Sequence, residues 1–333
     1  MYKSKIIGTG HYVPDRIVTN SDLEEMMDTT DEWIVERTGV QERRWFEAGK
    51  DTVSNMGTRA AQRALENAGI EASELDFIVF ATLSPEYYFP GCGVLVQDQL
   101  DLDTIGALDV RNQCSGFIYG LSVADQFIKT GMYKTILIIG SEIQSNIMDK
   151  SSNGRAIAVI FGDGAGAVVL QATEEEKGIL STHMHSQGKY ASELTVKEPS
   201  TRHKEQILKR LIDGAKADIY PYMNGKFIFK HAVERFSEVI NEALDQNGLK
   251  PSDLDMLIPH QANLRISQYI QRELGLADDK IWNNIQKYGN TTGASIPIAL
   301  DEAQRAGKIN DDDLVCLASF GSGLTWASAL IRW

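Results

Sequence analysis

Three side chains in this chain of 333 residues have types and settings suited to nucleophilic chemistry at sulfur. Cys114 stands in LDVRNQCSGFIYGLSVADQFIKTG (108–131). The apolar LDV ends a strand, FIYGLSVADQFI carries apolar residues at helical spacing, and Gly131 suits a helix C-cap. The cysteine therefore falls at a strand-to-helix turn, close to a helix N-terminus. Free N–H groups and the helix dipole favour a thiolate there. Lowering a cysteine pKa from about 8.5 to about 7 takes only about 2 kcal/mol, which a helix end and a nearby histidine could supply. The same N–H groups suit a thioester oxyanion. A small buried cysteine is the competing reading. Cys316, inside an apolar strand, fits that reading, and Cys92 in PGCGV is assigned to structure.

His260 ends the strand of MLIPHQANLRI (256–266), at the end of a parallel sheet where ligand chemistry usually sits. Asn290, in KYGNTTGASIPIAL (287–300), lies on a Gly-Asn turn that feeds a helix, although an Asn cap alone would explain it locally.

The elements that hold these residues recur. ALENAGIEASELD (64–76) matches ALDQNGLKPSDLD (243–255), and each copy reads as helix end, glycine cap, turn and buried strand. The strands are FIVFAT (77–82) and MLIPHQ (256–261). KTILIIGS (134–141) and DLVCLASF (313–320) are separated by the same offset as that first pair. A duplicated α/β chain with largely parallel sheets follows, in halves of 1–172 and 173–333. His260 then occupies the place of Ala81. With a small gap, TTG (291–293) occupies the place of CSG (114–116), so both halves aim a turn at one cavity. Residues 184–225 read as an insertion over one end of the sheets, with an amphipathic helix around Ile207, Leu208, Leu211 and Ile212.

The net charge of −13 argues against nucleic acid and anionic membrane as partners. No stretch of about 18 apolar residues and no signal-peptide pattern occurs. Three cysteines give neither a disulfide framework nor a metal-site spacing, so a cytoplasmic protein without metal is expected. FGDGAG (161–166) lacks the features of a phosphate loop and reads as a tight backbone path near the site.

DEWIVERTGV (31–40), NQCSGFIYGL (112–121), IFGDGAGAVVL (160–170), PHQANLRI (259–266), YGNTTGAS (288–295) and FGSGLTWASAL (320–330) together resemble the type III β-ketoacyl-acyl-carrier-protein synthases of the thiolase superfamily, over essentially the whole chain. The resemblance implies a thiolase-like fold, with two similar βα halves in a layered α-β-α-β-α core. It also implies decarboxylative condensation of an acyl-CoA with malonyl-acyl carrier protein through acyl-Cys114, initiating fatty acid biosynthesis with no cofactor. His260 and Asn290 would hold the malonyl thioester oxygen, and the N–H groups of Cys114 and Ser322 the acyl oxyanion. Ser322 departs from the family's glycine run. Trp33, Arg37 and Arg155 match CoA-binding positions, Phe89 and Phe320 acyl-pocket positions, and Lys230, Arg265 and Arg272 carrier-docking positions. A homodimer is implied as well.

The order Cys, His, Asn also occurs in papain-like proteases, but NQCSGF lacks their local signature. No second cysteine stands in the C-terminal loop, as thiolases have. Leu83 follows Thr82 where hydroxymethylglutaryl-CoA synthases place a glutamate base. Asn290 stands where elongating synthases have a second histidine. The long insertion keeps open a type III-like condensing enzyme or acyltransferase of specialised metabolism with an unusual acyl donor.

Overall fold

A computed structural model describes residues 2–201, 209, 212 and 219–333. Its framework is two mixed sheets. In the first, the strands run in the order Lys3–Tyr12, Gly164–Thr173, Thr135–Glu142, Phe77–Ala81 and Gly106–Val110. The last three are mutually parallel, Gly164–Thr173 runs antiparallel to them, and Lys3–Tyr12 runs antiparallel to Gly164–Thr173. The second sheet repeats this pattern with Met256–Pro259, Leu314–Gly321, Thr325–Arg332 and Gly178–Ser186.

Alternation along the strands sends their side chains into separate layers. Phe77, Val79, Ile136 and Ile138 face inward with Met256, Ile258, Val315 and Leu317. Between the sheets lie the helices Gly116–Lys129 and Ser295–Arg305, whose Phe117, Leu121, Ile296 and Leu300 join that one central cluster. The intervening strand residues face outward. Ile78, Phe80, Leu137 and Ile139 meet the helices Val53–Ala68 and Cys92–Gln99. Leu257, Leu314 and Cys316 meet the helices Gly225–Gln246 and Leu264–Leu274. The result is the five-layered α-β-α-β-α core.

The duplication holds in detail. Asp76 accepts the N–H groups of Lys134 and Thr135, and its counterpart Asp255 accepts that of Leu314. Each aspartate latches the two central strands of its own sheet, which accounts for its identity in both copies. One alignment needs correction. The one-turn 3-10 helices Gln113–Ser115 and Thr292–Ala294 are themselves separated by the offset of the repeat, as are the starts of the two central helices. No gap is required, and Cys114 corresponds to Gly293 rather than to Thr291. Gln113 and Thr292 share a left-handed backbone, with φ of 45° and 48°. Residues other than glycine adopt that conformation rarely and at a cost of about 1–3 kcal/mol, so its recurrence marks two turns built on one plan.

Residues 184–186 still belong to the second sheet. Beyond them Leu194–Thr195 pairs with Tyr222–Met223 over the edge of the C-terminal glycine turn. Of the expected amphipathic helix, Ile207, Leu208 and Leu211 lie outside the described residues, and Ile212 is exposed. No helix among the described residues is long and apolar enough to cross a membrane.

Candidate active site

Cys114 is buried at the meeting point of the two halves. Its turn packs against the turn Thr292–Ala294 and against the strand Leu314–Gly321. That strand also holds His260, whose backbone N–H donates to the Ala318 carbonyl at 2.8 Å. The approach is close enough to dictate glycine at its narrowest points. A Cβ on Gly321 would lie 2.7 Å from Cys114 Cβ and 3.1 Å from its Sγ. One on Gly140 would lie 2.5 Å from the Gly293 carbonyl oxygen.

Two backbone donors, the N–H groups of Cys114 and Ser322, favour negative charge on Sγ. Ser322, which replaces a family glycine, sends its hydroxyl to the Leu194 carbonyl and leaves its N–H for the sulfur. The expected depression of the thiol pKa is nevertheless overturned in the free site. Burial pushes Cys114 up to about 12, and the charge of Glu142 adds to it. No imidazolium is at hand to offset this, since burial pushes His260 down to about 3.

His260 is thus a neutral hydrogen-bonding group. Its Nδ1 lies 2.6 Å from Ser295 Oγ. That oxygen also accepts the Gln261 N–H at 3.4 Å, and in the tautomer in which Ser295 donates to Nδ1 the imidazole proton sits on Nε2. Asn290 is oriented by the same kind of argument. Its Oδ1 accepts the Thr292 N–H at 2.8 Å, so Nδ2 is the end left to donate. Its backbone bonds to Ile160 and Gly162. FGDGAG is therefore a strut for Asn290, and its Asp163 is held by the N–H groups of Phe46, Gln144 and Ser145. Ser295, Asp163 and Glu142 were not singled out from the sequence. Ser295 and Glu142 do stand at the repeat's own offset from Gly116 and Gly321, a signal the duplication contained.

The remaining positions divide. The Arg37 guanidinium lies 4.7 Å and that of Arg155 5.3 Å from the centre of the Trp33 ring, which gathers two cations and an aromatic ring suited to an anionic group. Asn263 donates to the Arg37 carbonyl and ties this cluster to the helix Leu264–Leu274. That helix carries Arg265 and Arg272, while Lys230 lies on the adjoining helix Gly225–Gln246. All three are exposed and form no ion pair among the described residues. Phe89 is 81% exposed on the loop before the helix Cys92–Gln99. Phe320 is a core side chain tilted against Phe236, with ring centres 6.4 Å apart. Cys92 is fully buried at a helix start whose N–H groups Asp109 caps. Among the described residues no cluster of three or more His, Cys, Asp or Glu side chains could hold a metal ion.

Two sheets in a five-layered core, with a buried cysteine turn packed against the matching turn of the other half, define the thiolase-like fold. Family models described as 3-oxoacyl-[acyl-carrier-protein] synthase III match residues 108–188 and, for its C-terminal part, 244–333. The chain is 45% identical over 330 residues to β-ketoacyl-[acyl-carrier-protein] synthase III of Shigella flexneri serotype 5b, covering 99% of each. It is 43% identical over 333 residues to the Coxiella burnetii protein of that name, covering both fully. The crystal structure of 3-oxoacyl-[acyl-carrier-protein] synthase III from Aquifex aeolicus superposes with a TM-score of 0.91 at 42% identity, covering 99% of this chain and 100% of that one. The chain belongs to the β-ketoacyl-acyl-carrier-protein synthase III family of acyltransferases.

Proposed function

We propose that the chain initiates fatty acid synthesis by condensing an acyl-CoA with malonyl-acyl carrier protein. The observation that carries this reading is the pair of N–H groups, from Cys114 and Ser322, that favour negative charge on one buried sulfur, in a chain where His260 and Asn290 are both buried as well. The Cys114 thiolate attacks the acyl-CoA thioester, the C–S bond to CoA breaks, and CoA leaves as a thiol after taking up a proton. Malonyl-carrier protein then enters. Its C–CO₂ bond breaks, and the electron pair moves into an enolate whose oxygen accepts from His260 Nε2–H and Asn290 Nδ2–H. The enolate carbon attacks the Cys114 thioester. The resulting oxyanion accepts from the N–H groups of Cys114 and Ser322, then collapses to expel the thiolate and leave β-ketoacyl-carrier protein. Each such donor is worth roughly 3–4 kcal/mol in the transition state. In its neutral form His260 can donate a hydrogen bond to the enolate oxygen without carrying a charge itself.

The Trp33–Arg37–Arg155 cluster supports CoA binding, and the exposed Lys230, Arg265 and Arg272 support docking of an acidic carrier. A homodimer is supported by the edge strand Gly106–Val110, which leaves one side unpaired, and by exposed Tyr87, Tyr88 and Phe89 beside it. In that assembly Phe89 would reach the partner's site. The net charge fits a cytoplasmic protein. Priming of a specialised pathway is a second reading, favoured by similarity to the R1128 priming β-ketosynthase, with a TM-score of 0.90 but only 31% identity. Intact-mass measurement after mixing with acyl-CoAs tests the proposal. A single acyl adduct is expected on the wild type and none on Cys114→Ala, and an adduct that survives on Cys114→Ala overturns it.

A further inference from the structure

Glu142 ends the central strand Thr135–Glu142 and is fully buried. It corresponds to Gly321, which touches the nucleophile from the other half. A glutamate in a sealed seam is costly to keep charged, and its surroundings are built around it. Thr82 and Ser84 hydroxyls, the Leu83 N–H and the Gln144 amide donate to it at 3.2, 2.6, 3.2 and 3.1 Å. On its far side the opposing turn arrives so closely that a Cβ on Gly293 would lie 3.2 Å from Oε1 and 3.3 Å from the Gln113 carbonyl. Its carboxyl therefore lies where the Cys114 turn, the Asn290 turn and the loop 82–84 converge.

We propose that Glu142 is a positioning residue that locks these three segments together and whose charge governs how readily Cys114 ionises. The proposal rests on Cys114 being the nucleophile. Among the groups that meet Glu142, those of the loop 82–84, of Gln144 and of the Thr292–Gly293 turn are uncharged. The titratable groups within its field are Cys114 and, from the helix Cys92–Gln99, Cys92. Burial pushes Glu142 up to about 7, so it changes charge in the range where the enzyme works. A protonated carboxyl leaves Cys114 free to become a thiolate, whereas a carboxylate opposes a second negative charge in the same seam. The proton on Glu142 and the charge on Cys114 are coupled, and the pair titrates as a unit.

The test is the pH dependence of Cys114 alkylation by iodoacetamide, resolved by peptide mass so that buried Cys92 and Cys316 serve as controls. In Glu142→Gln the side chain stays neutral at every pH. Its Cys114 profile should move down by about one pH unit, which is about tenfold faster alkylation on the rising limb. Gln144→Met removes one donor but leaves Glu142 charged in the range where Cys114 ionises, so its profile should stay with the wild type. Thermal melting checks that each variant is folded. An unchanged or upward-shifted profile in folded Glu142→Gln overturns the proposal, as does an equal downward shift in Gln144→Met, which would trace the effect to the loop and not to the charge. Because alkylation reads the thiol directly, that result is distinct from failure of Cys114 as nucleophile, which shows as an acyl adduct on Cys114→Ala.

Discussion

Two residues described above decide how the site donates. With Ser295 donating to Nδ1, His260 carries its proton on Nε2, and it remains neutral because it is buried. Ser295→Ala removes that definition, so acyl-enzyme formation should persist while decarboxylation of malonyl-carrier protein falls about tenfold or more, measured as carbon dioxide release. A depressed histidine also fixes the pH behaviour. The folded state holds His260 neutral down to about pH 3, whereas the unfolded chain protonates it near 6.5. The unfolded state therefore binds more protons between these values. The resulting stability is complete above 6.5 and is lost as pH falls toward 3. Melting temperature should drop on the acid side, and drop less steeply in His260→Gln. The decarboxylation step itself should show no histidine titration between about pH 5 and 8.

At the scale of elements, the site depends on how closely strand ends and turns meet. Gly321 is the glycine that meets the nucleophile itself. Gly321→Ala places a methyl group against Cys114 and should cost about a hundredfold in acyl-adduct formation, read by intact mass, because misplacement by about 1 Å has that effect. The turns were legible in the sequence because helix caps, apolar runs and the repeat are local patterns. Cys114, His260 and Asn290 could be singled out by type and place, while their roles came from the resemblance to the family. The free thiol's raised pKa was not legible, because a helix end is visible in sequence while depth of burial and the Glu142 charge are not. The exposure of Phe89 was not legible for a related reason, since an aromatic residue in a loop reads the same whether it points in or out. The gap expected between the two turns disappears because both begin on a left-handed residue, a backbone feature that Gln113 and Thr292 do not advertise by type.

The whole molecule is acidic, yet Lys230, Arg265 and Arg272 stand exposed on adjoining helices beside the Trp33 cluster. Reversing all three to glutamate should raise KM for malonyl-carrier protein about tenfold at low salt, with the difference shrinking as salt is added. The rate of self-acylation from acyl-CoA should stay as it was. In solution the chain should run as a dimer by light scattering, and Leu108→Lys on the edge strand should shift it toward monomer.

The central cluster has a final consequence. Its members come from both sheets and from both middle helices, so neither half owns a complete interior. The ancestral repeat survives as a pattern but no longer as a unit that can fold alone. Heating should melt the chain in one cooperative step, with calorimetric and van't Hoff enthalpies in agreement. The N-terminal half (1–172) made by itself should bind a dye for exposed apolar surface. The nucleophile and its two donors thus lie in a single thermodynamic body, and separating them means unfolding the protein.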